Sequence, residues 1–344
     1  MVTNNKILLV GLFLSEKNKH KIYRTAADQL AELLSKNNYS LIKVSHHTGK
    51  IKRFADTLIT IFLKKKEYQI AIVPLYGGIA SLFWAQSAIM LLKLLNKKVI
   101  LIIHGGSIPQ RLAYQPNRYL RVIDKADVVV CPSNFIVQTL EKYQRKAVLI
   151  ENVLNINEYT FQNKNKFLPH LFWMRTFEDV YHPIMAVHVL HQLKKKYPTA
   201  KMIMAGHDRG LLPAVKQLAT ELNVIDSIVF PGYITNEEKN KIAQEYDIHI
   251  CTNKIDNAPV SMIEMMCLGL PIVSVNSGGI PFLVTDNFNA LLVDVDDVAS
   301  MVDKISLIID NPEIGKKLVQ NGIATSSQYD ESVVIKKWNF LLRN

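Results

Sequence analysis

The sequence predicts an α/β protein of two doubly wound units. Three observations carry that prediction. The chain has 344 residues, 49% of them hydrophobic and 21% charged, about twice the length of one ordinary domain and apolar enough to form cores. Short apolar runs rich in Ile, Val and Leu alternate with longer helical stretches, the pattern of a parallel sheet covered on both faces. This alternation breaks once, near the middle of the chain, and then resumes.

In order along the first half, Ile7 to Leu12 reads as a strand, Thr25 to Ser35 as a helix and Leu41 to Val44 as the next strand. Ile70 to Leu92 is uncharged for 23 positions, long enough to span a bilayer. Its interior argues for one βα unit instead: a strand from Ile70 to Val73, then Pro74, a Gly77-Gly78 turn, and a helix from Ile79 to Leu95. Val99 to Ile103, Val128 to Cys131 and Ala147 to Ile150 follow as strands. Thr160 to His170, polar and weakly patterned, reads as the linker. Beyond it the strands are His170 to Met174, Lys201 to Ala205, Ile228 to Phe230, Ile248 to Cys251, Pro271 to Val275 and Ala290 to Val293. The tail from Asp330 to Leu342 reads as a helix that the pattern alone leaves free to lie on either unit. The expected domains are therefore residues 1–160, 161–325 and a final helical piece, 326–344.

Residues 1–160 carry 23 basic against 10 acidic side chains, and residues 161–344 carry 18 against 20. The first unit is expected to meet something anionic, such as an acidic membrane face or a phosphorylated substrate. Nucleic acid is the weakest candidate, because no aromatic interleaving and no finger, helix-turn-helix or RNP motif accompanies the basic residues. Cys131, Cys251 and Cys267 form no close pair, which argues against a disulfide scaffold and for a reducing compartment. The first strand starts at once, with too few apolar residues for a signal peptide. The expected location is the cytoplasm, with room for peripheral contact at the inner face of the membrane. After the first strand neither the G-x-G-x-x-G fingerprint nor a P-loop is present, and no G-x-S-x-G elbow occurs.

Ligands of doubly wound domains bind beyond the carboxyl ends of the strands, so side chains there are the functional candidates. The richest stretch runs from Asp256 to Pro281. Pro259 suits the first turn of a helix capped near Asn257 or Ala258 and ended at Gly269, and the turn of Pro259, Val260 and Ser261 offers the helix's free amides to a phosphate. Glu264, one turn in, can reach sugar hydroxyls. Because Met262, Ile263, Met265 and Met266 surround it, this carboxylate needs a partner. Asp256 precedes the helix; as plain alternatives, it is a turn residue and Glu264 a surface residue. Ser277-Gly278-Gly279 forms either an amide nest or a tight turn. Arg175, at the end of the strand from His170, can hold a diphosphate through paired hydrogen bonds, or it bridges to Glu178 or Asp179. His104, with Gly105 and Gly106, ends a strand of the first unit, where it can donate or accept a hydrogen bond. Gly206 and Gly232 close strands and would let a flat base or ribose approach the backbone. His188 and His191 share a helix face but lack further ligands at metal spacing.

Asp256, seven intervening residues, Glu264, Gly269-Leu-Pro271 and Gly278-Gly279 together resemble the signature of the retaining glycosyltransferases of family 4, nucleotide-sugar-dependent enzymes of the GT-B fold with two facing Rossmann-like domains and a cleft between them. The resemblance covers most of the chain and is strongest from Leu171 to Asp294. It implies that Asp256 approaches the transferred sugar, Glu264 the ribose, Arg175 the diphosphate, His104 the sugar near its reacting carbon, and Gly232 the loop beside the base. It further implies that the final helix crosses back onto the first domain. The donor would be a UDP- or GDP-sugar, transferred with retention to a hydroxyl of a lipid-linked or cell-surface glycan precursor, as in polysaccharide or lipopolysaccharide synthesis. No metal or other cofactor is expected.

Two positions depart from the pattern. Val180 and Tyr181 stand where a lysine is expected after Arg175, which leaves slower transfer, a cation from elsewhere, or no transfer. The glycine-rich turn after the first strand is replaced by Gly11 to Glu16. A nucleotide-sugar epimerase or hydrolase on the same fold, and a non-catalytic donor-binding subunit, are the alternatives to transfer.

Overall fold

The computed structural model describes residues 6–13 and 25–343. The chain divides into two compact units, one of residues 1–154 and 331–344 and the other of residues 155–330.

The first unit alternates strand and helix: β1 (Lys6–Val10), α1 (Ala26–Lys36), β2 (Leu41–Val44), α2 (Lys50–Leu63), β3 (Tyr68–Leu75), α3 (Ile79–Leu94), β4 (Lys98–Ile103), α4 (Ile108–Tyr114), α5 (Pro116–Ile123), β5 (Val128–Cys131), α6 (Asn134–Glu141) and β6 (Val148–Leu149). All pairings in its sheet are parallel, in the order β2-β1-β3-β4-β5-β6. Successive strand residues feed opposite cores: Ala71, Val73, Leu101 and Ile103 join one, and Ile72, Ile100 and Ile102 the other. Burial on both faces is why these strands read as unbroken apolar runs. The uncharged stretch from Ile70 to Leu92 is β3 and α3, and among the described residues no helix is long and apolar enough to cross a membrane.

The second unit contains β7 (His170–Met174), α7 (Pro183–Lys196), β8 (Lys201–Ala205), α8 (Leu212–Glu221), β9 (Ile228–Gly232), α9 (Asn236–Glu245), β10 (Ile248–Cys251), α10 (Val260–Cys267), β11 (Ile272–Val275), α11 (Ile280–Leu283), β12 (Leu291–Val293), α12 (Val298–Asp310) and α13 (Pro312–Ser326). Its parallel sheet has the order β12-β11-β10-β7-β8-β9. The chain winds outward from β7 through β8 to β9, then returns to the other side of β7 as β10. The carboxyl ends of β7 and β10 therefore flank the topological switch point, where doubly wound sheets place their ligands.

The unit boundary lies six residues before the expected one, and Thr160 to His170 is not a free linker. Glu158 accepts from the Asn236 side chain at 2.5 Å and Tyr159 donates to Glu264 at 2.8 Å, which ties 155–160 to the second unit. Phe167 is buried, and a Cβ on Gly315 would stand 2.3 Å from its ring. Polarity alone hid these contacts.

The final helix, α14 (Glu331–Arg343), belongs to the first unit. Val334, Ile335, Trp338 and Leu342 share a core with Leu30, Leu33 and Leu34 of α1. Tyr39 donates to Asn339 at 2.8 Å, and Lys36 pairs with Glu331 at 3.1 Å.

Candidate functional site

Arg175 leaves the carboxyl end of β7, and Asp256 lies on the loop after the adjacent β10. Arg175 Nη2 donates to Asp256 Oδ2 at 2.6 Å. The expected alternatives for the arginine do not occur: Glu178 faces Arg209 at 3.6 Å and Asp179 pairs with Lys254 at 2.7 Å. Burial opposes the guanidinium charge, but Asp256 above all outweighs it, so the Arg175 pKa lies above its ordinary value. The Tyr181 ring lies 5.2 Å from Arg175 Cζ, so an aromatic face stands where a second cation is expected. Lys254 donates its backbone N–H to the Val180 carbonyl at 2.9 Å, which brings one lysine backbone to that turn.

The loop from Asn253 to Pro259 is fixed by its own hydrogen bonds. Asn253 Nδ2 donates to Asp256 Oδ2 at 2.8 Å, and the Asn257 amide to Asp256 Oδ1 at 2.7 Å. Ser277 Oγ donates to the Asn253 carbonyl at 2.6 Å, and the Gly279 amide to the Asp256 carbonyl at 2.7 Å. A Cβ on Gly279 would sit 1.7 Å from the Asn257 carbonyl oxygen, and one on Gly278, at φ +54°, 2.5 Å from that of Asp256. The Ile280 amide donates to the Ser277 carbonyl at 3.0 Å, so the glycine pair forms the tight turn that was one of the two expected readings, and it is also the seat on which the Asp256 loop rests.

Pro259 is the N-cap of α10, one residue earlier than a first-turn proline, and no side chain caps the helix. Val260 and Ser261 open it, with Gly269 just past its end at φ +81°. Ser261 is buried, and its Oγ has no hydrogen-bond partner; nor have Arg175 Nε and Asn253 Oδ1. Buried polar atoms without partners are uncommon in folded proteins. Three of them sit on the two strand-end segments and the first turn of α10.

Glu264 is 8% exposed, so it is no surface residue. Its Oε1 accepts from Lys239 Nζ at 2.7 Å and from Tyr159 Oη at 2.8 Å, and no protein donor reaches Oε2 among the described residues. Burial, and then the neighbouring Glu264 charge, push the Tyr159 phenol well above its usual range. Lys239, equally buried, also donates to Asn236 at 3.0 Å. Sequence reasoning missed both partners. Lys239 sits in the polar helix opened by the Thr235–Glu238 capping box, which looks like a solvated face, and Tyr159 fell on the wrong side of the expected boundary.

Gly206 follows β8 and Gly232 ends β9. The Gly206 amide donates to the Gly232 carbonyl at 2.8 Å. At Gly206 a Cβ would stand 1.9 Å from the Arg175 carbonyl oxygen, so this position accommodates the arginine's own backbone where a base or ribose was expected. Gly232, at φ +80°, has nothing within 4 Å of a Cβ. Beside them the rings of His207 and Tyr233 stack at 4.9 Å.

His104 belongs to the first unit, at the end of β4. Its amide donates to the Leu75 carbonyl at 3.0 Å and its ring stacks on Tyr76 at 5.5 Å. Burial pushes the imidazole down to about 4, so it is neutral at pH 7. A Cβ on Gly105 would meet the Gly77 backbone at 2.4 Å; that glycine serves loop packing. Of the turn from Gly11 to Glu16, residues 14–16 lie outside the described residues. Among the described residues no group of three or more His, Cys, Asp or Glu is placed to hold a metal ion; His191 bonds instead to the Leu222 carbonyl at 3.1 Å.

Residues 156–325 match the family described as Glycosyl transferases group 1. An uncharacterized glycosyltransferase of Haemophilus influenzae is 28% identical over 297 residues, 80% of this chain and 77% of that protein. The D-inositol 3-phosphate glycosyltransferase of Mycolicibacterium smegmatis is 26% identical over 37% of this chain, a match that spans only 30% of that protein. Among solved structures, Anabaena HepE in complex with UDP and glucose superposes with a TM-score of 0.76 at 14% identity, over 98% of this chain and 99% of that one. Sucrose-phosphate synthase from Thermosynechococcus elongatus gives 0.79 at 15% identity, over 98% of each chain.

Proposed function

We propose that this chain, a glycosyltransferase with the two-unit α/β fold of the GT-B enzymes, moves a sugar from a nucleoside diphosphate sugar to a hydroxyl acceptor, with retention at the anomeric carbon as in family 4. The observation that carries this reading is the placement of Arg175 against Asp256 at the switch point, beside the uncapped start of α10.

In the proposed complex the diphosphate takes Arg175 Nε and the first amides of α10. Anions are favoured at such a terminus, and a preorganised cation stabilises the charge that grows on the leaving group. Ser261 Oγ supplies a further donor. Glu264 Oε2 accepts from the ribose hydroxyls, while Lys239 and Tyr159 hold the opposite oxygen still. Gly232 leaves open space for the base, and the HepE complexes with UDP and UDP-glucose favour a UDP-sugar. Asp256, held by its hydrogen bond from Arg175, orients the sugar. His104, uncharged at neutral pH, exchanges a hydrogen bond with a sugar hydroxyl. The acceptor hydroxyl attacks from the face the diphosphate leaves, and a donor phosphate oxygen takes its proton, so no protein nucleophile is needed. The reaction is proposed to run without a metal. The acceptor is proposed to be a lipid-linked or cell-surface glycan precursor, reached from the cytoplasmic face of the membrane by the basic first unit.

The test is product analysis by NMR with UDP-, GDP- and ADP-sugars and an acceptor panel. An acceptor-dependent α-linked product from an α-linked donor supports the reading. Folded protein that transfers nothing from any donor sinks it, and turnover of donor alone points to an epimerase or hydrolase.

A further inference from the structure

We propose that the outward faces of α2 and α3 in the first unit form a docking surface for an anionic lipid bilayer. A helix packed on a sheet ordinarily turns polar residues to solvent. In α2 the exposed apolar residues Ile51, Ala55, Ile59 and Phe62 recur at spacings of four, four and three along one helical face, with Lys52 at its edge. Ile51 is 85% exposed and Leu63, beside the stripe, 73%. In α3, Ile79, Phe83, Met90 and Leu94 are exposed apolar residues at spacings of four, seven and four, with Gln86 and Ser87 on the turn between Phe83 and Met90; Leu94 is 79% exposed.

The two stripes face the same way. Ile61 of α2 and Leu82, Ala85, Ile89 and Leu92 of α3 lie in one core on one face of the sheet, so the opposite sides of both helices point outward together. The rings of Phe54 and Phe83 stack at 5.5 Å and join the helices. Exposed apolar side chains grouped on two neighbouring helices exceed the scattered ones of an ordinary surface.

Charge identifies the occupant. Lys50, Lys52 and Arg53 stand at one end of α2 and Lys64, Lys65 and Lys66 at the other, with Asp56 the sole acid between them and Glu67 just beyond, engaged by Lys6 and Lys64. Lys65 Nζ lies 4.2 Å from the centre of the Phe62 ring, so cation and apolar face are presented side by side. A symmetric contact with a second copy would bring like-charged collars together. An anionic bilayer takes both components, apolar side chains at the acyl boundary and lysines among the headgroups. With no described helix able to span, the contact is one of lying on the surface.

The inference rests on the proposed transfer only in that it puts the acceptor on a lipid; binding itself is independent of turnover. The test is sedimentation of the full chain with vesicles of phosphatidylcholine, with and without phosphatidylglycerol. Binding at least about tenfold tighter to the anionic vesicles, weakened by salt, is expected. The triple variant Ile59→Ser/Phe62→Ser/Phe83→Ser, altered only at exposed positions, should lose about tenfold or more, with unchanged circular dichroism and nucleotide-sugar binding. Lys64→Gln/Lys65→Gln/Lys66→Gln, which leaves the apolar side chains intact, should lose the anionic preference. Equal binding to both vesicles, a triple variant that binds like the parent, or a dimer that the triple variant dissolves would overturn the proposal. Vesicle binding without nucleotide-sugar binding would remove the transfer reading and keep this surface; the reverse result would do the opposite.

Discussion

At the scale of single residues, the buried charges decide what the site tolerates. Lys239→Met leaves Glu264 buried without its cation, and removing one member of a buried pair costs about 3–5 kcal/mol. Urea denaturation should show that loss, and a smaller one for Lys239→Met combined with Glu264→Gln, because the double change removes the stranded charge. Arg175, Asp256 and Glu264 were legible in the sequence for one reason: a charged residue at a strand end, or amid methionines, needs an explanation that its neighbours in the chain do not supply. Lys239 and Tyr159 were not legible, since they meet Glu264 across 25 and 105 residues and look locally like a solvated helix face and a loop. His104 and His249 are both held low by burial, to about 4 and about 3. A histidine whose folded pKa is lowered stabilises the fold above its unfolded pKa, near 6.5, and loses that contribution as pH falls toward the folded value. The urea midpoint should therefore be level between about pH 7 and 8 and drop between about 6.5 and 4; a midpoint that rises in that lower window contradicts the assignment.

At the scale of elements, the strands were read nearly to the residue because each is short, apolar and bounded by turn residues. Two elements were misread. The stretch 160–170 looks like a linker by composition, yet Phe167 anchors it. α2 was not recognised, although its apolar residues recur at helical spacing. Gly278-Gly279 gives the sharpest element-scale prediction. Gly279→Ala drives a methyl into the Asn257 carbonyl and must displace the Asp256 loop; it should lower kcat/KM by about tenfold or more, the cost of misplacing a positioned group. Gly232→Ala meets no protein atom and carries the left-handed backbone penalty, about 1–2 kcal/mol, but its methyl enters the space proposed for the base. Thermal melts and kinetics on the two variants separate the roles: stability loss with a raised donor KM at Gly232, loss of kcat at Gly279.

At the scale of the whole molecule, two parallel sheets of six strands follow from the alternation of apolar runs with helices, and the division of charge follows the division of units. The sequence pattern left the final helix without an assignment; its apolar face at Val334, Trp338 and Leu342 completes the first unit's core beside α1, so deleting residues 331–344 should destabilise that unit first, seen as an early separate transition in calorimetry. The second unit holds the donor side of the proposed reaction, and its most direct measurement is calorimetric binding of UDP against uridine, in the parent and in Arg175→Ala. If Arg175 and the start of α10 grip the diphosphate, the parent binds UDP far more tightly than uridine, and the variant loses that preference by about a hundredfold, the scale of a charge-assisted donor removed from a buried site. A folded variant that keeps the full preference for UDP would contradict the account.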